Sequence, residues 1–366
     1  METSVQLPLD LIVDILIRLP VRSLARFRCV SRSFRSLIDG QDFVNRYVNH
    51  SIETNSNLGL FVSVENSKWK RRYYSLSFDQ YAFDNCLEID LPLMKNCKFG
   101  FIIGSCNGLL ALEDSRRNIM LLLNPLTKRH RVLPTFYRDL SRCVPSLEGF
   151  GFDVGSGDFK LVKILAFGKP MNYTEVAVFS LRVNSWRRIQ DFPYFWVTGT
   201  CSVFVNGALH WTAALNQDAD RNDIIIAFDL KSEEFYQVPL PPIVGIEGYY
   251  ILLEALGGCL CLLCKFDDDD DDRPWDLWVM KEYGVNDSWT KLATLLNVGG
   301  GNVKPLVYSR SEDKVLLHAV RGDLCWYDLE RHRVRSIVEI DDKVRRCDMR
   351  TVCVNTLVSP NAHAGN

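Results

Sequence analysis

From residue 58 onward one unit recurs, and this repetition restricts the fold more than any other feature of the chain. Each unit joins an apolar strand rich in β-branched and aromatic residues, a polar turn, and a second strand ending near a basic or aromatic side chain. The clearest copies are Ile119–Pro134, Val176–Ile189, Ile224–Pro239, Leu277–Leu292 and Leu324–Ile337; Tyr73–Leu91 is a weaker one. Their turns fall near Asp79, Asn124, Ser180, Asp229, Glu282 and Asp328, at intervals of 45, 56, 49, 53 and 46 residues. Upstream of a hairpin stand two more strands, as in Phe99–Ser105 with Gly108–Leu112, Gly149–Asp153 with Phe159–Ala166, and Ser202–Val205 with Ala208–Thr212. The joining turns Cys106-Asn107-Gly108, Gly155-Ser156-Gly157 and Asn206-Gly207 are tight-turn chemistry. Six units of four strands predict an all-β, six-bladed propeller, whose radial repetition protects its sheet edges. The first unit lacks an inner strand, and Thr351–Val358 is expected to supply it and close the ring. The competing architecture is a two-sheet sandwich, which also uses many short strands.

The N-terminus is different in kind. Leu7–Ile38 reads as three short helices. Pro8 suits a first helical position, Pro20 ends the first helix, and Ser23 and Ser31 are N-cap candidates for the next two. Leu11, Ile12, Ile15, Leu16 and Leu19 recur at the spacing of a helix face; Leu24, Phe27, Phe34, Leu37 and Ile38 continue the pattern. A unit this small buries too little surface to stand alone, so its surplus of Leu, Ile and Pro is expected to meet another protein. The plain alternative is a helical cap packed on its own domain.

The letters of this segment resemble the F-box, the adaptor-binding module of SCF-type ubiquitin ligases. The resemblance runs through Leu7-Pro8, Ile15-Leu16, Arg18-Leu19-Pro20, Ser23-Leu24, Arg26-Phe27-Arg28-Cys29-Val30-Ser31 and Leu37-Ile38, with Phe34 where many plant members carry Trp. It implies a Skp-type adaptor, and through it a cullin, as partners. The residues it assigns to the adaptor are Leu7, Pro8, Leu11, Ile12, Ile15, Leu16, Leu19, Pro20, Leu24, Phe27 and Val30. The repeating region resembles plant F-box-associated (kelch-like) domains in Ser105-Cys106-Asn107-Gly108-Leu109-Leu110, Leu123-Asn124-Pro125-Leu126-Thr127, Gly149-Phe150-Gly151-Phe152-Asp153 and Asn206-Gly207-Ala208-Leu209-His210-Trp211. Asp287-Ser288-Trp289-Thr290-Lys291 and Tyr327-Asp328-Leu329 extend the likeness. Within that family the chain is most similar to the receptors that restrain plant immunity, named for constitutive expression of defence genes.

Composition excludes several other classes. Of 366 residues 47% are hydrophobic and 24% charged, with net charge −2, so no global attraction to nucleic acid or anionic membrane is expected. Six arginines and no acid lie between Arg18 and Arg35; they read as a basic rim for an acidic adaptor. Asp10, Asp14 and Arg18 interrupt the N-terminal apolar run, which argues against a signal peptide. The apolar runs 99–112 and 251–264 are broken by polar residues and too short to span a bilayer. A soluble intracellular protein of cytoplasm, nucleus or both is expected.

Catalytic and metal signatures are weak. Cys259, Cys261 and Cys264 lie among leucines without a second pair or a nearby His, so they read as small buried hydrophobes. The six histidines are scattered, and His210 is expected to be a satisfied core residue. No nucleophile elbow or phosphate loop is present; Gly299-Gly300-Gly301 reads as a connection. Asp267–Asp272 lacks calcium-loop spacing and reads as a solvated loop. No cofactor, metal, nucleic acid or membrane partner is expected.

These observations predict residues 1–50 as the F-box, 51–57 as a short linker, 58–358 as the propeller and 359–366 as a flexible tail. The function they predict is a non-catalytic substrate receptor of a ubiquitin ligase. Target contacts are expected on one propeller face, from loops 66–72, 113–117, 168–174, 215–223 and 267–275 and links 135–146, 193–200 and 242–249. The anchors there would be Trp69, Arg71, Tyr137, Arg138, Tyr173, Trp196, Tyr249 and Trp275. Two rivals remain: a propeller scaffold outside ubiquitin chemistry, and a small-molecule or sugar-binding propeller with a helical cap. The second predicts a pocket in the central channel lined by paired acids or His.

Overall fold

The computed structural model describes residues 7–65, 71–79, 82–94, 100–114, 116–136, 143–167, 173–194, 202–214, 224–242, 249–266, 273–296, 298, 303–319, 323–337 and 349–361. Among them are four helices and six four-stranded antiparallel sheets. The first sheet orders β24 (Met349–Val354), β1 (Leu58–Glu65), β2 (Arg71–Asp79) and β3 (Ala82–Ile89). The second contains β4 (Gly100–Cys106), β5 (Leu109–Asp114), β6 (Ile119–Asn124) and β7 (Arg129–Val132). The third contains β8 (Cys143–Asp153), β9 (Asp158–Phe167), β10 (Tyr173–Ser180) and β11 (Ser185–Arg188). Then come β12 (Val203–Val205), β13 (Ala208–Ala213), β14 (Ile224–Asp229) and β15 (Phe235–Val238). The fifth sheet holds β16 (Tyr249–Leu256), β17 (Cys259–Phe266), β18 (Trp275–Met280) and β19 (Trp289–Leu295). The sixth holds β20 (Lys304–Tyr308), β21 (Lys314–His318), β22 (Leu324–Asp328) and β23 (Arg333–Ile337). Strands β24, β4, β8, β12, β16 and β20 adjoin in sequence and return to β24. The molecule is a six-bladed propeller, not a sandwich.

The turns account for the repeat. Asn124, Ser180, Asp229 and Asp328 each begin a third-to-fourth-strand turn, and each side-chain oxygen accepts a backbone N–H three residues on, at 2.7–3.1 Å. Four residues after each, Lys128, Asn184, Glu233 and His332 take left-handed φ values between 49° and 60°. Short Asn, Asp and Ser side chains mimic a backbone turn in this way, which is why the spacing is legible in the letters. The first-to-second-strand turns Asn107-Gly108, Asn206-Gly207 and Gly257-Gly258 carry two consecutive positive φ angles, the type I′ geometry that matches strand twist.

Burial runs radially. Second strands β5 and β9 are buried throughout, outer strands β7 and β11 are mostly exposed, and the innermost strands β4 and β16 are mostly half-buried because one side faces a hollow axis. The core is divided into six wedges between neighbouring blades. Polar latches reinforce the seams. Trp186 and Trp289 donate their indole N–H groups to the carbonyls of Pro134 and Pro239 on the preceding blades, at 2.7 and 2.9 Å. Buried Lys163 of β9 reaches Glu113 of the second blade at 2.8 Å and Glu148 of its own at 2.7 Å. Lys160 reaches Glu233 of the fourth blade at 3.0 Å.

The C-terminal segment closes the ring as expected, with β24 pairing antiparallel to β1 from Leu58↔Val354 to Ser63↔Met349. The chain then crosses the second blade. Buried Asn124 donates from Nδ2 to the carbonyls of Thr356 (3.0 Å) and Val358 (2.7 Å), and Thr356 Oγ1 donates to the Asn107 carbonyl at 3.0 Å. In the described part of the segment expected as a tail, Pro360 is buried, and its carbonyl accepts from Arg131 at 3.5 Å.

The helices are α1 (Leu9–Leu16), α2 (Val21–Phe27), α3 (Arg32–Asp39) and α4 (Gln41–Glu53). Ser31 caps α3 by accepting from Phe34 N at 3.1 Å, as its letter suggests. Ser23 is not a cap: α2 begins at Val21 behind Pro20. The fourth helix was not anticipated; it lies mostly within the predicted F-box, and its last three residues, 51–53, enter the predicted linker. Phe43, Tyr47 and Val48 of α4 join Val13, Leu16, Ile17, Val21, Leu24 and Ile38 in one core, continuous with the wedge between the sixth and first blades. Val48, Ile52 and Asn55 cover one end of the propeller axis, beside Asn107 and Gly257-Gly258. First strands therefore run toward α4. Second-to-third-strand loops and interblade links leave from the opposite end.

Candidate functional site

Helix α1 is apolar on two faces, and its surroundings satisfy only one. Val13 and Leu16 are buried, with Leu16 2% exposed. Pro8, Leu11 and Ile15 lie at the i, i+3, i+7 spacing of the other face, and Ile15 is 53% exposed. Leu7 and Leu9 precede them in solvent, and Phe27 and Val30 add apolar exposure at the end of α2, with Val30 at 68%. Water-facing apolar side chains grouped on a rigid element mark a protein contact.

The predicted adaptor residues therefore divide. Leu7, Pro8, Leu11, Ile15, Pro20, Phe27 and Val30 are exposed, and Ile12 and Leu19 are half-buried against the helical core. Leu16 and Leu24 are corrected: each is 2% exposed and belongs to the core that α4 completes, so neither offers surface. Leu9, at 63% exposure, was missed, although it sits in the same Leu-Pro-Leu run.

The basic rim is partly neutralised from within. Arg28 pairs with Asp39 at 2.7 Å, and Arg35 approaches the same carboxylate at 3.9 Å. Arg18, Arg22, Arg26 and Arg32 are exposed and form no ion pair among the described residues.

Two family profiles cover nearly all of this architecture. The F-box domain matches residues 5–46, and the F-box associated beta propeller domain matches residues 66–359. The chain is an F-box protein. It is 31% identical to F-box protein CPR1 of Arabidopsis thaliana over 360 residues, covering 90% of this chain and 84% of that one. It is 29% identical to an F-box/kelch-repeat protein of the same plant, covering 97% of this chain and 96% of that one. The F-box implies binding to a Skp-type adaptor, and the family is one of receptor subunits.

On the propeller, Trp69, Tyr137, Arg138 and Trp196 lie outside the described residues. Tyr173 heads β10, paired with Phe167. Tyr249 heads β16 half-buried, edge-on to exposed Phe266 with ring centroids 5.5 Å apart. Two expected anchors are corrected. Trp275 is wholly buried, because β18 alternates with Trp275, Leu277 and Val279 inward. Arg71 is also buried and donates to Ser63 Oγ at 3.2 Å across the β1–β2 pair.

His210 is buried between the fourth and fifth blades. The Val203 carbonyl can only accept, so His210 Nδ1 donates to it at 3.0 Å and Nε2 accepts from the Tyr283 hydroxyl at 2.6 Å. Tyr236 then donates to the Tyr283 oxygen, also at 2.6 Å. Burial lowers the imidazole to about 4, so it is neutral and structural. Cys261 and Cys264 are buried in opposite wedges, and burial raises both thiols. Among the described residues no three His, Cys, Asp or Glu side chains gather to hold a metal, and no helix is long and apolar enough to cross a membrane.

Proposed function

We propose that this F-box protein is the substrate-recognition subunit of an SCF-type ubiquitin ligase. The outward face of α1 and α2 docks a Skp-type adaptor, which links to a cullin. The face at the far end of the propeller holds a target protein. The single observation carrying this reading is the division of α1: one apolar stripe is buried against α4 and the propeller seam, and the other, through Leu11 and Ile15, is bare. The exposed arginines beside it favour an acidic partner and set its orientation. The chain contributes no nucleophile; a target held beside a charged conjugating enzyme presents its lysines at high effective concentration.

The test is a reconstitution with adaptor, cullin and conjugating enzyme. Full-length protein is expected to capture a target and drive its ubiquitination, while Ile15→Asp captures the same target without modifying it. Failure of the wild-type chain to bring down the adaptor would overturn the reading. Point substitution is the sound perturbation here, because removing residues 1–45 strips the seam between the sixth and first blades as well.

A further inference from the structure

The propeller axis encloses a cavity of about 480 Å3, bounded at one end by Val48 and Ile52 of α4. That volume lies within the range of small-molecule sites. Its wall is chemically divided. Ile102, Phe204, Leu306 and Val352 supply apolar surface. Elsewhere Lys304 Nζ stands 3.0 Å from Glu254 Oε2, and His318 lies directly across from Lys304 in the β20–β21 register. The lysine is the more accessible of the pair, with 37% of its side chain exposed against 21% for Glu254. Ser202 Oγ, buried in the same wall, has no hydrogen-bond partner among the described residues.

We propose that this channel binds a small amphipathic carboxylic acid, with its carboxylate at Lys304 and His318 and its apolar body along Ile102, Phe204 and Val352. The charge balance selects the class. A cationic ligand would meet Lys304, and a phosphate dianion would require more positive charge than Lys304 alone provides. A sugar would face aliphatic side chains where it needs many hydrogen-bonding groups. Glu254 is suited to yielding its partner: burial raises its carboxyl, with Lys304 opposing, so it accepts a proton more readily than an exposed Glu when the incoming carboxylate takes the lysine.

The test titrates the full-length chain with decanoate, decanol and decylamine below their micellar concentrations, by calorimetry at neutral pH. Decanoate is expected to saturate at one per chain, decanol to bind at least tenfold more weakly, and decylamine not to bind. Lys304→Met should weaken decanoate at least tenfold and leave decanol unchanged. Ala255→Trp, placed on an exposed channel position, should abolish both; if it does not fold, Lys304→Met and Lys304→Glu carry the test. The proposal is overturned if decanoate does not saturate, if decanol binds as tightly as decanoate, or if folded Ala255→Trp binds like wild type. No adaptor enters the assay, so its outcome is independent of the ligase reading.

Discussion

Replacing Asn124 by Ala should release the chain end that closes the propeller. Asn124 is wholly buried and makes three hydrogen bonds: Oδ1 accepts from Thr127 N at 3.0 Å, and Nδ2 donates to the Thr356 and Val358 carbonyls at 3.0 and 2.7 Å. Each bond contributes about 1 kcal/mol net, and a partner left dry costs about 1–3 kcal/mol. Thr356 is buried and stays dry; Thr127 and Val358 are half-buried and recover water. The sum is about 3–5 kcal/mol, or roughly 6–10 °C in melting temperature at roughly 2 °C per kcal/mol for a domain of this size. Asn124→Asp should cost more, because it sets a second acceptor against two carbonyls. Urea denaturation gives the stability change, and hydrogen exchange at Met349–Val354 gives its location. A loss below about 1 kcal/mol with unchanged exchange in that strand would refute the latch.

Other perturbations probe the same scaffold. At Gly108 (φ +82°) a Cβ would come within 2.0 Å of Thr356 Oγ1, whereas at Gly207 (φ +77°) it would meet nothing within 4 Å. Gly207→Ala should therefore cost only the left-handed strain, about 1–2 kcal/mol, and Gly108→Ala clearly more, with raised exchange in the closing strand. Burial, then the neighbouring Glu148, raises the Glu113 carboxyl to about 8 against the pull of Lys163. The folded state holds this proton, whereas the unfolded chain releases it near the ordinary glutamate value. Its contribution is thus full below about pH 4.5 and lost as pH rises to about 8. Urea midpoints between pH 5 and 8.5 should fall accordingly, and Glu113→Gln should flatten that slope; an equal slope in the variant would contradict the assignment.

The propeller was legible because its period is written in turn chemistry. Asn124, Ser180, Asp229 and Asp328 announce their hairpins by letter, and the inner strand missing from the first unit required a donor from the C-terminus. The helical region was legible only in part. Leu11, Ile12, Ile15 and Leu16 merge into one broad stripe in sequence, and only α4 decides which pair turns inward. Its own signal, Phe43, Tyr47, Val48 and Ile52 at helical spacing, was present but sat among polar residues. Trp275 misled for a related reason: an aromatic at a strand head reads the same exposed or buried until the inward alternation of Trp275, Leu277 and Val279 is known. The channel carried no linear signal, since Glu254, Lys304, His318 and Ser202 converge from three blades.

The measurement that bears most directly on the central claim is calorimetric titration of the full-length chain with a Skp-type adaptor. The wild type should bind one adaptor. Leu11→Asp combined with Ile15→Asp, both at exposed positions of α1, should weaken binding at least about 100-fold with an unchanged melting temperature. Leu87→Asp, equally exposed on β3, should bind like wild type. A folded double variant that still bound the adaptor with wild-type affinity would contradict the account.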